Sequence, residues 1–431
     1  VGLEVVLKIY LIAGEASGDN IGAKLMLALR LKHPDIEFYG VGGDKMQAVG
    51  MNLLFPAKEL ALMGFFEIVP HIPRLIKRIN QTAEQICKLQ PDAVITIDSP
   101  GFCFRVAKKV KDKMRALQDP RSSAPLAPSS GMTLQGGSSL APSSGMTQKM
   151  RLIHYVAPTV WAYRPERAKK IAQIYDHLLV ILPFEPEYFI KEGLATTFVG
   201  HPAIENLEIL PKKIFRDKHN VPKDDLLICL APGSRVQEIK KLLPIFLQAI
   251  RLVSERSQDP RSSAPLAPSS GMTSRSGVTV AIPTHDHLKE LINSYNNEGL
   301  SIILVGEEDK QNLFSSADIA LTKSGTITTE LAFYKMPMVV AHKVNGFSYW
   351  LLKKMIKVKY ATIINILAGK ELIPELLQER CNSELIAKKM LDVINSEVLQ
   401  KEVQINLAKL QVNGELPSNI AAKKILELIS N

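Results

Sequence analysis

The sequence predicts an α/β protein of two doubly wound domains, each a parallel sheet with helices on both faces. Three observations carry that prediction. Short apolar, β-branched runs alternate with segments of helical periodicity. The alternation comes as two series, separated near Ile204–Pro222. And 431 residues, at roughly 150 per domain, suit two or three domains. Apolar residues make up 46% of the chain and charged residues 22%, an ordinary mix for a folded protein, which excludes wholesale disorder.

Taken in order, Val5–Ala13 reads as a buried strand and Gly18–Leu31 as a helix with Ile21, Leu25 and Leu29 on one stripe. Strand Ile36–Val41, a helix around Ile72–Leu89, strand Ala93–Ile97 and helix Arg105–Leu117 follow, then strands Leu152–Val156 and Leu178–Leu182. The second series runs through strand Leu226–Ala231, helix Gln237–Glu255, strand Val278–Ile282, helix His287–Tyr295 and strand Ile302–Val305. It continues with strand Ile319–Leu321, helix Thr326–Tyr334 and strand Met338–Ala341, and ends in helical patterns including Ala387–Leu391 and Ala421–Ile429. Alternation of this kind argues for two Rossmann-like domains, expected at 1–205 and 206–431.

One feature stands outside the pattern. The 16-residue string QDPRSSAPLAPSSGMT occurs at 118–133 and again at 258–273, and its tail LAPSSGMT recurs at 140–147. Its Pro, Ser, Ala and Gly content favours flexible loop, so 118–147 and 258–273 are expected to be mobile surface inserts; a docking peptide is the alternative. Each follows a helix and precedes a strand. In a parallel sheet that connection lies at the strands' N-terminal edge, away from the C-terminal edge where ligands bind.

Lys and Arg number 53 against 43 Asp and Glu, a net +10. This excess fits an anionic partner: nucleic acid, a phosphorylated metabolite or an acidic membrane surface. Aromatics at 6% argue against stacking on single-stranded bases. The four cysteines, Cys87, Cys103, Cys229 and Cys381, are far apart with no C-x-x-C pair, so neither a disulfide framework nor a structural zinc is expected. Apolar runs fall short of the ~20 residues that span a bilayer, and the opening VGLEVVLKIYLIAGEASGD shows no basic leader; a cytoplasmic protein is expected.

The loops that follow strands carry the chemistry. Gly14-Glu15-Ala16-Ser17-Gly18-Asp19 lets backbone approach a ligand and adds acceptors; an ordinary turn capped by Ser17 or Asp19 is the plainer reading. Neither a dinucleotide fingerprint nor a Walker A sequence is present there. Asp98 ends a strand, placed either to act on a substrate over the sheet or to cap the next helix. Pro232-Gly233-Ser234-Arg235 combines glycine, a hydroxyl, a helix start and a guanidinium, a good diphosphate cradle. Lys323-Ser324-Gly325-Thr326 is a second such turn, with Glu330 one turn into its helix, placed for ribose hydroxyls or simply solvated. No Asp-x-Asp string supplies metal ligands. The stretches 63–78 and 347–359 join apolar residues to a basic end, fitting an anionic interface or an acyl chain, or a core helix with a solvated lysine face.

Together the motifs resemble those of the lipid-A-disaccharide synthase family: AGEASGD at 13–19, ALMG at 61–64, IDSPGF at 97–102, HYVAPTVWA at 154–162 and LPFEPEYF at 182–189. FVGHP at 198–202, APGSR at 231–235, KSGTITTE at 323–330 and NILAGKELIPELLQE at 365–379 complete the set, which runs nearly end to end in the family's order. The resemblance implies a GT-B fold, two Rossmann-like domains facing each other across a cleft. It implies an inverting glycosyl transfer from UDP-2,3-diacylglucosamine to 2,3-diacylglucosamine 1-phosphate, giving the β-1,6-linked lipid A disaccharide 1-phosphate and UDP. It implies no metal or other cofactor and no nucleic acid. It also implies work on the inner face of the cytoplasmic membrane, as a peripheral protein on an anionic surface. Asp98 matches the family's proposed general base, while Glu15, Ser17 and Met63 match its first-domain loops. Arg235, with Gly233 and Ser234, matches the diphosphate-binding loop; Ser324, Gly325, Thr326 and Glu330 match the Ser-Gly-Thr helix, and Asn365 the Asn-x-Leu-Ala-Gly loop. Family members have C-terminal segments that cross between domains or subunits, so a homodimer and non-local packing of the helices after Asn382 are within the expectation. The chain departs at Gly101-Phe102-Cys103, where members often carry Asp-Phe-Asn, leaving Asp98 as that loop's carboxylate. A UDP-sugar 2-epimerase and a non-catalytic membrane-surface scaffold are the competing readings.

Overall fold

The computed structural model describes residues 6–61, 68–118, 150–258, 277–295, 300–343 and 358–430. Met63 and most of both inserts lie outside the described residues. The chain divides into two compact units, Val1–Pro202 with Val412–Asn431, and Ala203–Gln411.

In the first unit, strands β1 (Lys8–Ala13), β2 (Glu37–Gly42), β3 (Met51–Pro56), β4 (Ala93–Ile97), β5 (Arg151–Tyr155), β6 (His177–Val180) and β7 (Thr196–Phe198) form one sheet. Its order is β3-β2-β1-β4-β5-β6-β7, and every pair is parallel. Strand β1 shows why its sequence is almost continuously apolar. Tyr10 and Ile12 face the core beneath helices Ile68–Leu89 and Pro100–Gln118. Ile9, Leu11 and Ala13 face the opposite core, beneath helix Ala16–Lys32. A strand covered on both faces has no solvent side to alternate with. Gly40 in β2 is fixed by backbone geometry: its φ is +142° and a Cβ would fall 1.8 Å from the Leu11 carbonyl oxygen.

The second unit repeats the plan. Strands β8 (Leu226–Ala231), β9 (Val278–Pro283), β10 (Ser301–Val305), β11 (Ile319–Thr322), β12 (Met338–His342) and β13 (Glu375–Leu377) pair in the order β10-β9-β8-β11-β12-β13. All are parallel. The core lies against helix Val236–Gln258, whose Ile239, Leu242, Leu243, Phe246 and Ile250 recur at helical spacing and are buried.

Two features differ from the sequence reading. Strands β3, β7 and β13 lie outside the sequence pattern; β7 and β13 have three residues each, too few to show a period. The division also departs from the expected 1–205 and 206–431. Helix Pro417–Ser430 buries Ala421, Ala422, Ile425 and Ile429 in the core shared by β1 and helix Ala16–Lys32. Its apolar stripe is the one seen at Ala421–Ile429; which sheet the stripe covers is a tertiary fact. The described chain leaves helix Pro100–Gln118 and re-enters at β5, and leaves helix Val236–Gln258 and re-enters at β9, so both repeat-bearing segments attach at the strands' N-terminal edge.

Ile425→Ala is expected to cost about 3 kcal/mol, and the loss should appear as faster amide exchange in β1 and helix Ala16–Lys32 rather than in the second unit.

Candidate active site

At the C-terminal edge of the first sheet, β1 and β4 pair with Ala13 opposite Ile97, so the loops that follow them are neighbours. Ser17 Oγ donates to Asp98 Oδ2 at 3.3 Å. Asp98 and Ser99 hold φ of +50° and +44°, left-handed backbone that costs about 1–3 kcal/mol per non-glycine residue and concentrates at functional sites. The Asp98 amide donates to the Tyr155 carbonyl at 3.0 Å, fixing the bend between neighbouring strands. Gly14 is required beside it, since a Cβ there would meet Ser99 Oγ at 2.4 Å. Glu15 is exposed at the helix start.

Asp19 does something else. It is buried, with Oδ1 accepting from the Gly43 and Met46 amides at 2.8 and 3.1 Å and Oδ2 from Lys45 at 3.0 Å. The last residue of AGEASGD therefore holds the turn after β2, at 43–46. The departure at Gly101 is a loss of a polar group without a steric reason, because a Cβ there meets nothing within 4 Å.

Beyond β5 and β6 lies a buried acid. Glu185 Oε1 accepts the Trp161 indole N–H at 3.1 Å, and Oε2 accepts the Ile181 and Leu182 amides at 3.2 and 3.0 Å. Burial pushes its carboxyl up to about 7, against these three donors. The HYVAPTVWA and LPFEPEYF motifs are thus joined through one side chain. Behind them His154, wholly buried and held down to about 3 by burial, shares its Nδ1 with Thr96 Oγ1 at 2.7 Å, a neutral structural pair.

The second unit carries a cavity of about 280 Å³ at the ends of β8, β9, β10 and β11. Gly233, Ser234, Lys323, Ser324, Gly325 and Thr326 line it, with Thr284, His285, Glu238 and Lys310. Both turns expected to bind a diphosphate are thereby brought together. Arg235 lies at their margin, its side chain 77% exposed and 3.9 Å from Glu238. Ser324 Oγ lies 3.2 Å from His342 Nδ1.

Two expected residues are placed differently. Glu330 is not among the lining residues; it pairs at 2.8 Å with Lys310, which is. Burial works against the Lys310 charge, but Glu330 and Glu307 hold it above the ordinary lysine range. Asn365 is fully buried. It donates to the Ile373 carbonyl at 2.7 Å and Glu375 Oε1 at 2.8 Å, and accepts from the Leu372 and Ile373 amides at 2.8 and 2.9 Å. Both donors and both lone pairs are consumed, so Asn365 shapes the 365–375 loop and offers nothing to a ligand. Lys310, Glu238 and Glu185 escaped sequence reasoning, since a lone charged residue on a helix or turn carries no periodic signal. Among the described residues no cluster of His, Cys, Asp or Glu is arranged to hold a metal ion.

Glu185 yields a pH signature. Its raised value means the folded chain holds the proton more tightly, so its stabilisation is complete below 4.5 and is lost as pH rises through about 7. In a Trp350→Phe background, where Trp161 alone reports, Glu185→Gln should remove that fall. The stability difference between the two proteins changes by about 3 kcal/mol across this window, read by urea denaturation.

A family model described as lipid-A-disaccharide synthetase matches residues 9–118 and 144–428; the gap falls inside the first insert. The lipid-A-disaccharide synthase of Rhodospirillum centenum is 36% identical over 431 residues, covering 98% of this chain and 95% of that one. Among solved structures, the UDP-GlcNAc 2-epimerase of Neisseria meningitidis bound to UDP-GlcNAc has a TM-score of 0.57 at 13% identity, covering 99% of this chain and 100% of that one. The calicheamicin glycosyltransferase CalG4 has a TM-score of 0.55 at 11% identity, covering 99% and 98%. At those identities the structures speak for the fold, which epimerases and glycosyltransferases share; the family match, over most of the chain, sets the epimerase and scaffold readings aside. The chain belongs to the lipid-A-disaccharide synthase family, and it is a glycosyltransferase of lipid A biosynthesis on a GT-B fold.

Proposed function

We propose that the enzyme condenses UDP-2,3-diacylglucosamine with 2,3-diacylglucosamine 1-phosphate, inverting the anomeric carbon, to give the β-1,6-linked disaccharide 1-phosphate and UDP. The observation that carries this reading is the second unit's cavity, where Gly233-Ser234 and Lys323-Ser324-Gly325-Thr326 converge in a chain of this family. Small residues there admit a diphosphate to backbone, and Lys323 and Arg235 supply charge. The UDP-GlcNAc named for the Neisseria relative of the same fold supports a UDP-sugar donor.

Asp98 is the general base. It takes the acceptor hydroxyl's proton as that oxygen bonds to the anomeric carbon, while the bond to the diphosphate oxygen breaks and its electron pair leaves with UDP. Ser17, on Oδ2, holds the carboxylate in position, and the left-handed backbone at Asp98 and Ser99 sets it there before substrate arrives. Glu15, exposed on the neighbouring loop after β1, is available for the acceptor's polar groups, and Met63 belongs to the same first-domain set.

Both substrates carry acyl chains, so the enzyme works as a peripheral protein at the inner face of the cytoplasmic membrane. Ile72 and Ile76 are 41% and 51% exposed one turn apart, and exposed Lys77 lies beside them. Such a mixed apolar and basic face suits an anionic interface. Arg74 and Arg78 are partly spent on Glu59, at 2.9 and 2.6 Å. No described helix is long and apolar enough to cross a membrane.

UDP release from the donor should depend on acceptor and fall by about 10²–10⁴ in Asp98→Ala. Undiminished release in that variant sinks the base assignment, and release without acceptor sinks the transfer. Deleting 118–147 or 258–273 should leave the rate unchanged; lost activity would place an insert at the chemistry.

A further inference from the structure

Glu238 lies in the first turn of helix Val236–Gln258, and its carboxylate sits where the second unit's anion-binding groups meet. Oε1 takes Lys323 Nζ at 2.7 Å, and Arg235 Nη1 stands 3.9 Å away. Oε2 accepts the Ser234 amide at 3.2 Å. Gly233, at φ +127°, makes room: a Cβ there would lie 2.3 Å from Oε2. The side chain is 18% exposed and lines the cavity. Although burial pushes its carboxyl up, Lys323 and Arg235 hold it below the ordinary carboxylate range, so the group is ionised.

A carboxylate near a helix start that reaches back to a free amide is a common cap. Lys323 makes this one different. It comes from the loop after β11, a strand beside β8, and it meets the first turn of this helix through a charged contact with Glu238. One internal anion therefore satisfies a backbone amide and an ammonium, with a guanidinium nearby, three donor types that also bind phosphate oxygens.

We propose that Glu238 is the resident counter-anion of the diphosphate site: the nucleotide displaces its carboxylate from Ser234 and Lys323 on binding, and the carboxylate returns as the product leaves. The inference rests on the reading of this cavity as a nucleoside diphosphate site. By offsetting part of the positive charge of Lys323 and Arg235 between turnovers, Glu238 weakens UDP binding and speeds UDP release. A merely structural cap would have the opposite effect on removal, loosening the turn and weakening the ligand.

The test is calorimetric titration of UDP and of uridine into wild type and Glu238→Gln at one fixed ionic strength. Gln keeps an oxygen for the Ser234 amide and removes the charge. UDP should bind about tenfold tighter to the variant with uridine unchanged, and UDP should become a correspondingly stronger product inhibitor. Equal or weaker UDP binding in the folded variant overturns the inference. Wild type that binds UDP no better than uridine overturns the diphosphate reading itself, and this inference with it. Should Glu238→Gln not fold, Glu238→Asp serves: one methylene shorter, it cannot span Ser234 and Lys323 together, and UDP binding should tighten about two- to threefold. Equal or weaker binding in that variant overturns the inference.

Discussion

Parallel pairing is the constraint from which the rest of the structure follows. In each unit every strand pair runs the same way, so each strand must return by a crossover that covers a face of the sheet. Both faces are then buried, and the strands become almost uniformly apolar. The loops leaving the strands' C-terminal ends collect on one edge, where polar residues escape the core. AGEASGD meets IDSPGF because β1 pairs with β4, and APGSR meets KSGTITTE because β8 pairs with β11. Partners such as Ile9 with Ala93 and Ile228 with Ile319 are 84 and 91 positions apart in the chain, yet the loops that follow them end as neighbours.

Within those edge loops the charged residues divide the labour. Some face the ligand space, and others hold those that do. Asp19 ties one loop to the next through three amides, Glu330 steadies Lys310, and Asn365 with Glu375 locks the 361–375 segment. Half-buried charges are costly unless paired, so a site rich in lysine needs a second set of carboxylates behind it. Glu185 is an extreme of the same logic, a buried acid whose three donors do not fully offset its burial.

The architecture alone does not choose the reaction, since a 2-epimerase and a glycosyltransferase share it at comparable likeness. The choice comes from residues on the loops. In the proposed reaction Asp98, bent into left-handed backbone, is the group for proton transfer. The paired glycine-containing turns, which line one cavity, are where the same proposal puts the diphosphate.

The alternating order, the two parallel sheets, the family and the candidate loops at the strand ends could all be read from the sequence, because each is written in local periodicity and short motifs. Asp98, Ser17, Gly233, Ser234, Ser324, Gly325 and Thr326 were legible one loop at a time for that reason, and strand pairing brought the loops together. Tertiary structure decided which member of a motif faces outward. Glu330 reaches the cavity only through Lys310, Asn365 turns inward to its own loop, and Glu238 enters the cradle from a helix that looked merely apolar on one side. It also sent helix Pro417–Ser430 to the first unit's core. Short edge strands, side-chain pairings and the destination of a terminal helix depend on contacts between residues far apart in the chain, and local pattern holds no record of them.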